Sequence, residues 1–405
     1  MAKRRLSSNL RVVSLRSVLV GLAFSMQRAI WQPFVLSLGV PMSTLGLLEA
    51  LGGWRGILPA PIQYVGGWLS DRLGRKPFIV VGNLAGLLGA ALFVVAALTQ
   101  DWRWLFPGVT LMGLIIVADP PQDSLVAEST PARQRGSAFS LVMVSWIAPG
   151  IVAPTIGGYL AGRWGYAPVF FISGSLYGLA LLVIVRFLRE TLSQANGNVT
   201  GGQIGRALLK MVAPPRKLRG LYGAMALDSF TWGLGWTILY GMLTETFGFT
   251  TFQIGLLSSM VSISWVLSQL PIGRLIDRYG SKPVMVFSEA LGIPVVVGWL
   301  FSSSFAAFAL LQLAFGITAA TWVPAQRALV ANSVSERERG EALGRLAAFQ
   351  GLVGFPAPFI GGLLYDRFGF QAPILANLIF VTISTVVLAL AIREPAREEE
   401  EGDGS

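Results

Sequence analysis

Long apolar runs separated by short polar breaks fill almost the whole chain. A helix crosses a hydrocarbon core of about 30 Å with roughly 20 apolar residues. Runs near 14–38, 43–69, 77–99, 103–126, 137–161, 166–188, 219–243, 251–275, 282–302, 305–328, 341–363 and 371–393 meet that length. In lipid every backbone N–H and C=O must be satisfied internally, so each run predicts a helix. The chain therefore reads as an all-α membrane protein of twelve transmembrane helices, with both termini on one side.

The breaks divide it into a basic N-terminus (1–13), a six-helix bundle (14–188), a linker (189–218), a second six-helix bundle (219–393) and an acidic tail (394–405). On the N-terminal side the breaks hold Arg72, Arg75, Lys76, Arg133, Arg135, the segment from Arg206 to Arg219, Arg274, Arg278, Lys282, Arg337 and Arg339. The opposite loops carry only Arg103, Arg163 and Arg367 as basic residues. By the positive-inside rule the basic side is cytoplasmic, which predicts a multi-pass plasma-membrane protein with cytoplasmic termini. In the linker, Asn196, Gly197, Asn198, Gly201 and Gly202 read as a hinge, followed by a basic amphipathic stretch from Ile204 to Met211.

Composition narrows the chemistry. Of 405 residues, 53% are hydrophobic and 13% charged, with no cysteine and no histidine. Disulfides, thiol nucleophiles and the usual zinc sites are excluded, no metal or cofactor motif is present, and proton chemistry falls to carboxylates. The net charge of +10 lies in short breaks rather than in one patch, so it marks topology and not a nucleic-acid partner. Met1 to Arg16 is basic and precedes an apolar run without a convincing cleavage site, so the first helix is expected to stay. The tail reads as disordered.

The two bundles repeat. Gln63 to Pro77, between helices 2 and 3, matches Gln269 to Pro283, between helices 8 and 9, with Asp277 206 residues after Asp71. Ala153-Pro154-Thr-Ile-Gly157-Gly158 in helix 5 recurs 204 residues later as Ala357-Pro358-Phe-Ile-Gly361-Gly362 in helix 11, and Arg135-Gly136 recurs as Arg339-Gly340 at the same offset. Three motifs at nearly one spacing describe two pseudo-symmetric six-helix halves. In the loops, Gly67 and Gly273 allow close helix approach, Gly74 and Gly280 permit the reversal, and Arg72, Arg75 and Arg278 hold the loop in the cytoplasm. Asp71 and Asp277 read as the anionic half of a latch across the gap between halves, or as residues that only fix the turn.

The segment Gly67-x-Leu69-Ser70-Asp71-Arg72-Leu73-Gly74-Arg75-Lys76 resembles the signature loop of the major facilitator superfamily, and its weaker copy sits where that family places one. The Ala-Pro-x-x-Gly-Gly segments resemble the helix-5 signature of the family's multidrug/proton antiporter branch, with Ala153 in place of its usual glycine. Proline kinks the helix and paired glycines allow tight packing, which suits a gating helix or plain packing. An arginine that many proton antiporters of the family carry early in helix 4 is absent, Val109 standing in its place.

A charge at the bilayer centre costs at least about 2.5–3.5 kcal/mol, so each one there is a candidate site. Ser25, Arg28 and Gln32 make a stripe on helix 1, and Asp228, Thr231, Trp232 and Gly235 make one on helix 7. Helix 4 carries Asp119, Gln122 and Asp123 toward its cytoplasmic end, and helix 2 carries Glu49 in the outer third and Arg55 near the centre, with Glu49 and Asp123 reading as boundary or gate residues more than as central ligands. Helix 10 contributes Gln312, Thr318, Trp322 and Gln326. By resemblance, helices 1, 4, 7 and 10 line a central cavity where these residues would meet substrate and protons. Asp228 is the first choice for a protonatable carboxylate, and Glu289 is expected to support the latch. Arg28 and Arg55 are either ligands or partners of an acid that locks helices together.

The resemblance implies a secondary transporter, not an enzyme, moving a small amphipathic or drug-like solute by alternating access, with proton-coupled efflux. The alternatives are an organic anion or phosphate ester held by Arg28 and Arg55, or a lipid or lysolipid as cargo. The expected partners are a small-molecule substrate, protons and membrane lipids, with the protein a monomer.

Overall fold

The computed structural model describes residues 7–53, 56–131, 134–192, 218–334 and 339–392. Among them there is no strand, and ten helical runs are long and apolar enough to cross a membrane. The other two crossings, helices 2 and 7, are assembled from shorter pieces, which gives twelve spans in the order expected. Arg55, most of the linker and the whole of the tail lie outside the described residues, as do the first six residues.

Helix 1 runs Ser8–Ser37, beginning well before the expected residue 14, with the Ser7 hydroxyl accepting from the Leu10 amide as its cap. Helix 2 is Met42–Gly52 followed by Pro59–Leu73. Helix 4 is Leu105–Leu114, a tighter 3₁₀ turn Ile115–Ala118, and Asp119–Glu128. Helix 5 is Arg135–Ile147, a 3₁₀ turn Ala148–Ile151, and Ala153–Trp164. Helix 7 is Arg219–Leu234, the 3₁₀ turn Trp236–Ile238, and Leu239–Phe247. Helix 11 is Arg339–Gly354 then Pro356–Phe368. Prolines 59, 120, 154 and 356 sit at the starts of the second pieces, where a missing amide hydrogen is harmless.

Helices 3, 6, 8, 9, 10 and 12 are unbroken, as Arg75–Thr99, Tyr166–Phe187, Thr251–Tyr279, Ser281–Phe301, Phe305–Asn332 and Gln371–Ala391. Within the first half, helix 6 packs on helices 1 and 3; within the second, helix 10 packs on helices 8 and 9 and helix 12 on helices 7 and 9. The halves meet mainly where helix 2 crosses helix 11 and helix 5 crosses helix 8. Both crossings lie on the side away from the signature loops, here called the far side.

Candidate functional site

The repeated Ala-Pro-x-x-Gly-Gly motif builds the far-side closure. A Cβ on Gly158 would stand 2.1 Å from the Thr251 carbonyl oxygen of helix 8, and one on Gly255 2.3 Å from that of Pro154. The second interface mirrors the first: a Cβ on Gly362 would meet the Met42 carbonyl at 2.5 Å, and one on Gly46 that of Pro358 at 2.1 Å. Gly157 and Gly361 face inward instead, against the backbone of Met26 in helix 1 and of Leu234 in helix 7. One glycine of each pair thus seats the helix within its own half and the next seats it against the other half. Polar bonds add to the closure. Asp366 accepts from the Met42 and Ser43 amides at 3.0 and 2.9 Å, capping helix 2 from helix 11, and Thr251 donates to the Gly158 carbonyl at 2.8 Å.

Directly beneath this closure lies a polar site shared by the halves. Gln32 donates to Glu49 at 3.2 Å and to the Thr237 carbonyl at 2.5 Å, and its oxygen accepts from the Gly241 amide at 2.7 Å. One side chain of helix 1 therefore ties helix 2 to helix 7. One turn deeper, the Arg28 guanidinium lies 5.3 Å from the Trp236 ring centre, and Trp236 in turn stacks on Phe315 at 4.9 Å. A cation over an indole face is held by about 0.5–2 kcal/mol, depending on desolvation. Among the described residues Arg28 makes no hydrogen bond or ion pair, although Glu49 and Tyr240 lie within its electrostatic reach. Tyr240 accepts from Gln312 of helix 10 at 3.2 Å. The arrangement offers a half-buried cation whose donors meet no described residue, an aromatic platform and a neighbouring carboxylate.

The signature loop is tied within its own half. Arg75 pairs with Asp71 and, at 3.1 Å, with Glu128 at the end of helix 4. Glu190, just past helix 6, accepts from the amides of Arg75 and Lys76 at 3.0 and 2.9 Å. Burial pushes its carboxyl up, but these and the Thr191 and Leu192 amides outweigh that and hold it below the ordinary glutamate value. Gly74, at φ +106°, leaves room for it, since a Cβ there would stand 2.8 Å from a Glu190 oxygen. Arg72 lies 4.0 Å from the Trp68 ring and donates to the Trp68 carbonyl, and Arg278 lies 5.2 Å from that of Tyr279. A Cβ on Gly67 would stand 3.1 Å from Pro120 of helix 4, whereas one on Gly273 would meet no described residue within 4 Å, so the close approach expected at both glycines exists at one. Gly280 makes its reversal at φ +89°.

Several expected cavity residues lie elsewhere. The Asp228, Thr231 and Trp232 stripe turns into the second half: Asp228 is 1% exposed, Trp232 donates to Glu289 of helix 9 at 3.2 Å, and its ring meets Trp299 and Phe315. Glu289 is thus a core residue beside helix 7 rather than a latch support. Trp322 and Thr318 are buried, Trp322 in the apolar cluster with Tyr222, Met225 and Leu329, so it does not line the space between halves. Gln326 donates to Gln350 of helix 11, which donates on to the Met225 carbonyl, both at 2.9 Å. Asp119 and Asp123 sit on the signature-loop side of helix 4, with Asp123 exposed.

Three residues of weight escaped the sequence reading. Trp236 and Tyr240 bring helix 7 to the shared site, and Arg16, counted with the basic N-terminus, is 3% exposed within the first half. Arg16 bonds Gln122 of helix 4 and Asn83 of helix 3, the latter at 3.4 Å. A buried arginine persists only where acceptors surround it.

The model of the Major Facilitator Superfamily matches residues 13–227 and again 221–405, once on each half. The multidrug resistance protein MdtG of Enterobacter lignolyticus is 24% identical over 417 residues, spanning 98% of this chain and 96% of the relative. A bacterial homolog of the human lysosomal transporter Spinster, solved in an inward-facing and occupied conformation, superposes with a TM-score of 0.72 at 16% identity, covering 95% of this chain and 96% of that one. The human organic anion transporter MFSD10 superposes with a TM-score of 0.68 at 20% identity, covering 94% and 99%. With its doubled signature loop and its two glycine-sealed interfaces, this multi-pass membrane protein is a transporter rather than an enzyme, and it belongs to the Major Facilitator Superfamily.

Proposed function

We propose that the chain exports small amphipathic or drug-like solutes in exchange for protons, by rocking its two halves about the Arg28–Trp236 site. The observation that carries this reading is a guanidinium at bilayer depth, stacked on an indole from the other half and hydrogen-bonded to no described residue. An aromatic platform beside a few polar groups suits amphipathic cargo, and the multidrug relative agrees in kind. Glu49 serves as the coupling carboxylate in this scheme, in preference to Asp228. It lies near Arg28 and bonds Gln32, the side chain that links helix 1 to helix 7, so a change in its charge acts on the closure itself. The protein works as a monomer among lipids of a bacterial plasma membrane, with the basic side and both termini cytoplasmic. The bundles 14–188 and 219–393 move as the two bodies, joined by the linker 189–218, and the closed far side makes this the inward-facing state.

The test is solute-evoked proton movement in proteoliposomes holding a pH-sensitive dye, comparing wild type, Glu49→Gln and Asp228→Asn. Loss in Glu49→Gln with retention in Asp228→Asn supports the assignment. Solute movement without proton flux in the wild type refutes coupling. The second reading, an organic anion as cargo, is favoured by the donors of Arg28, which bond no described residue, and by the likeness to MFSD10. It predicts that Arg28→Gln removes anion transport and spares cations.

A further inference from the structure

The repeat extends to a place the signature motifs do not cover. Pro120-Pro121-Gln122-Asp123 in helix 4 corresponds to Pro324-Ala325-Gln326-Arg327 in helix 10 at an offset of 204 residues, the offset of the helix-5 and helix-11 motifs. The internal two-fold therefore pairs an acid with a base: Asp123 and Arg327 occupy equivalent positions, on opposite halves, both exposed on the signature-loop side. Arg327 exerts its field on Asp123 and also on Asp119, one turn away. Yet no nitrogen of Arg327 comes within 4.0 Å of a carboxylate oxygen among the described residues. The opposite charges lie within electrostatic reach of each other without an ion pair, while the far side is shut by glycine contacts.

The neighbouring residues hold this arrangement in place. Gln122, between the two carboxylates, is gripped by buried Arg16, and Arg16 also bonds Asn83, which fixes this turn of helix 4 against helices 1 and 3. The repeat-equivalent Gln326 is bonded to Gln350, fixing the same turn of helix 10 against helix 11. Each charge is carried on a braced turn, so it moves with its half as a rigid body. Asp71 cannot do this work here, because Arg75 occupies it within the first half.

We infer that Asp123 and Arg327 form the ion pair that closes the signature-loop side when the far side opens, with Asp119 as a second acceptor and Arg16 as a positioning residue. The inference rests on the alternating-access reading. Because a pair at the mouth stays partly solvated, its loss is expected to lower the closed population about two- to five-fold.

The chain has no cysteine, so spin labels can be placed at Pro131→Cys and Asn332→Cys, both exposed on this side, without other changes. Distances are then read by double electron–electron resonance in lipid nanodiscs over a range of pH. The wild type is expected to show a long and a short distance. Asp123→Asn and Arg327→Gln should each deplete the short one, and the double exchange Asp123→Arg with Arg327→Asp should restore it. Arg16→Gln should broaden both distances, and thermal melts show whether each variant is folded. Short-distance populations unchanged in folded single variants, or an exchange no better than its singles, would overturn the ion pair. A single distance in the wild type under every condition would instead overturn alternating access.

Discussion

Adding one methyl at Gly46 should drive the transporter toward its far-side-open state. In the closed arrangement that Cβ would stand 2.1 Å from the Pro358 carbonyl oxygen and 2.7 Å from its carbon, where ordinary contact begins at 3.4 Å. Neither neighbour is a flexible side-chain tip, so helices 2 and 11 must separate by about 1 Å, and overpacking of this kind costs about 1–3 kcal/mol. Alanine also gains up to about 1 kcal/mol of helix propensity over glycine, but residue 46 stays helical in both states and that gain cancels. The net shift is therefore about 1–3 kcal/mol, or roughly 5- to 150-fold in the ratio of states. Gly158→Ala at the mirror interface should act alike, its Cβ meeting the Thr251 carbonyl at 2.1 Å.

Labels at Ser37→Cys and Glu245→Cys, exposed at the far ends of helices 1 and 7, report the opening by double electron–electron resonance. Gly136→Ala is the control, since its Cβ would have no neighbour within 4 Å. A Gly46→Ala distance distribution that superimposes on the wild type in a folded protein refutes the glycine-seal reasoning. So does an equal shift in Gly136→Ala.

Other substitutions test the remaining contacts. Gly67→Ala should lower the melting temperature, because its Cβ would stand 3.1 Å from Pro120, while Gly273→Ala, whose Cβ would meet no described residue within 4 Å, should hold or raise it through a helix-propensity gain of up to about 1 kcal/mol. Glu190 is held below its ordinary value of 4.5, so its contribution is present above that pH and is lost as pH falls through the lower, folded-state value; the melting temperature of Glu190→Gln should fall less steeply on acidification than that of the wild type. Trp236→Ala should weaken substrate binding about 2- to 30-fold by removing the indole under Arg28, and Trp322→Phe, a change in the second half's core, should leave affinity unchanged while altering stability. Equal loss of affinity in both would show that the cavity is lined as the sequence alone suggests.

The twelve spans were legible because each must satisfy its own backbone within lipid, and that demand is written in run length. The halves were legible because Asp71 and Asp277, or Gly158 and Gly362, repeat at nearly one offset. Which face of a helix meets the other half was not, and helix 7 shows why. Extrapolating a period of 3.6 residues from Asp228 through Thr231 and Trp232 assumes one unbroken helix, but Trp236–Ile238 is a 3₁₀ turn. Each residue of such a turn advances about 20° further round the axis than in an α-helix, so three of them rotate the C-terminal piece of the helix by roughly 60°. The stripe ahead of the break therefore faces Glu289 and the second half's core, while Trp236 and Tyr240 come round to Arg28 and Gln312. Arg16 was hidden for a different reason. Its burial depends on Asn83 and Gln122, residues of two other helices, and a charge at the start of an apolar run reads as a topology signal until those partners are seen. The breaks in helices 4 and 5, at Ile115–Ala118 and Ala148–Ile151, impose the same loss of phase. Span existence survives such breaks because it depends on length alone, whereas site composition depends on phase and is set by the turns where the spans depart from regular helix.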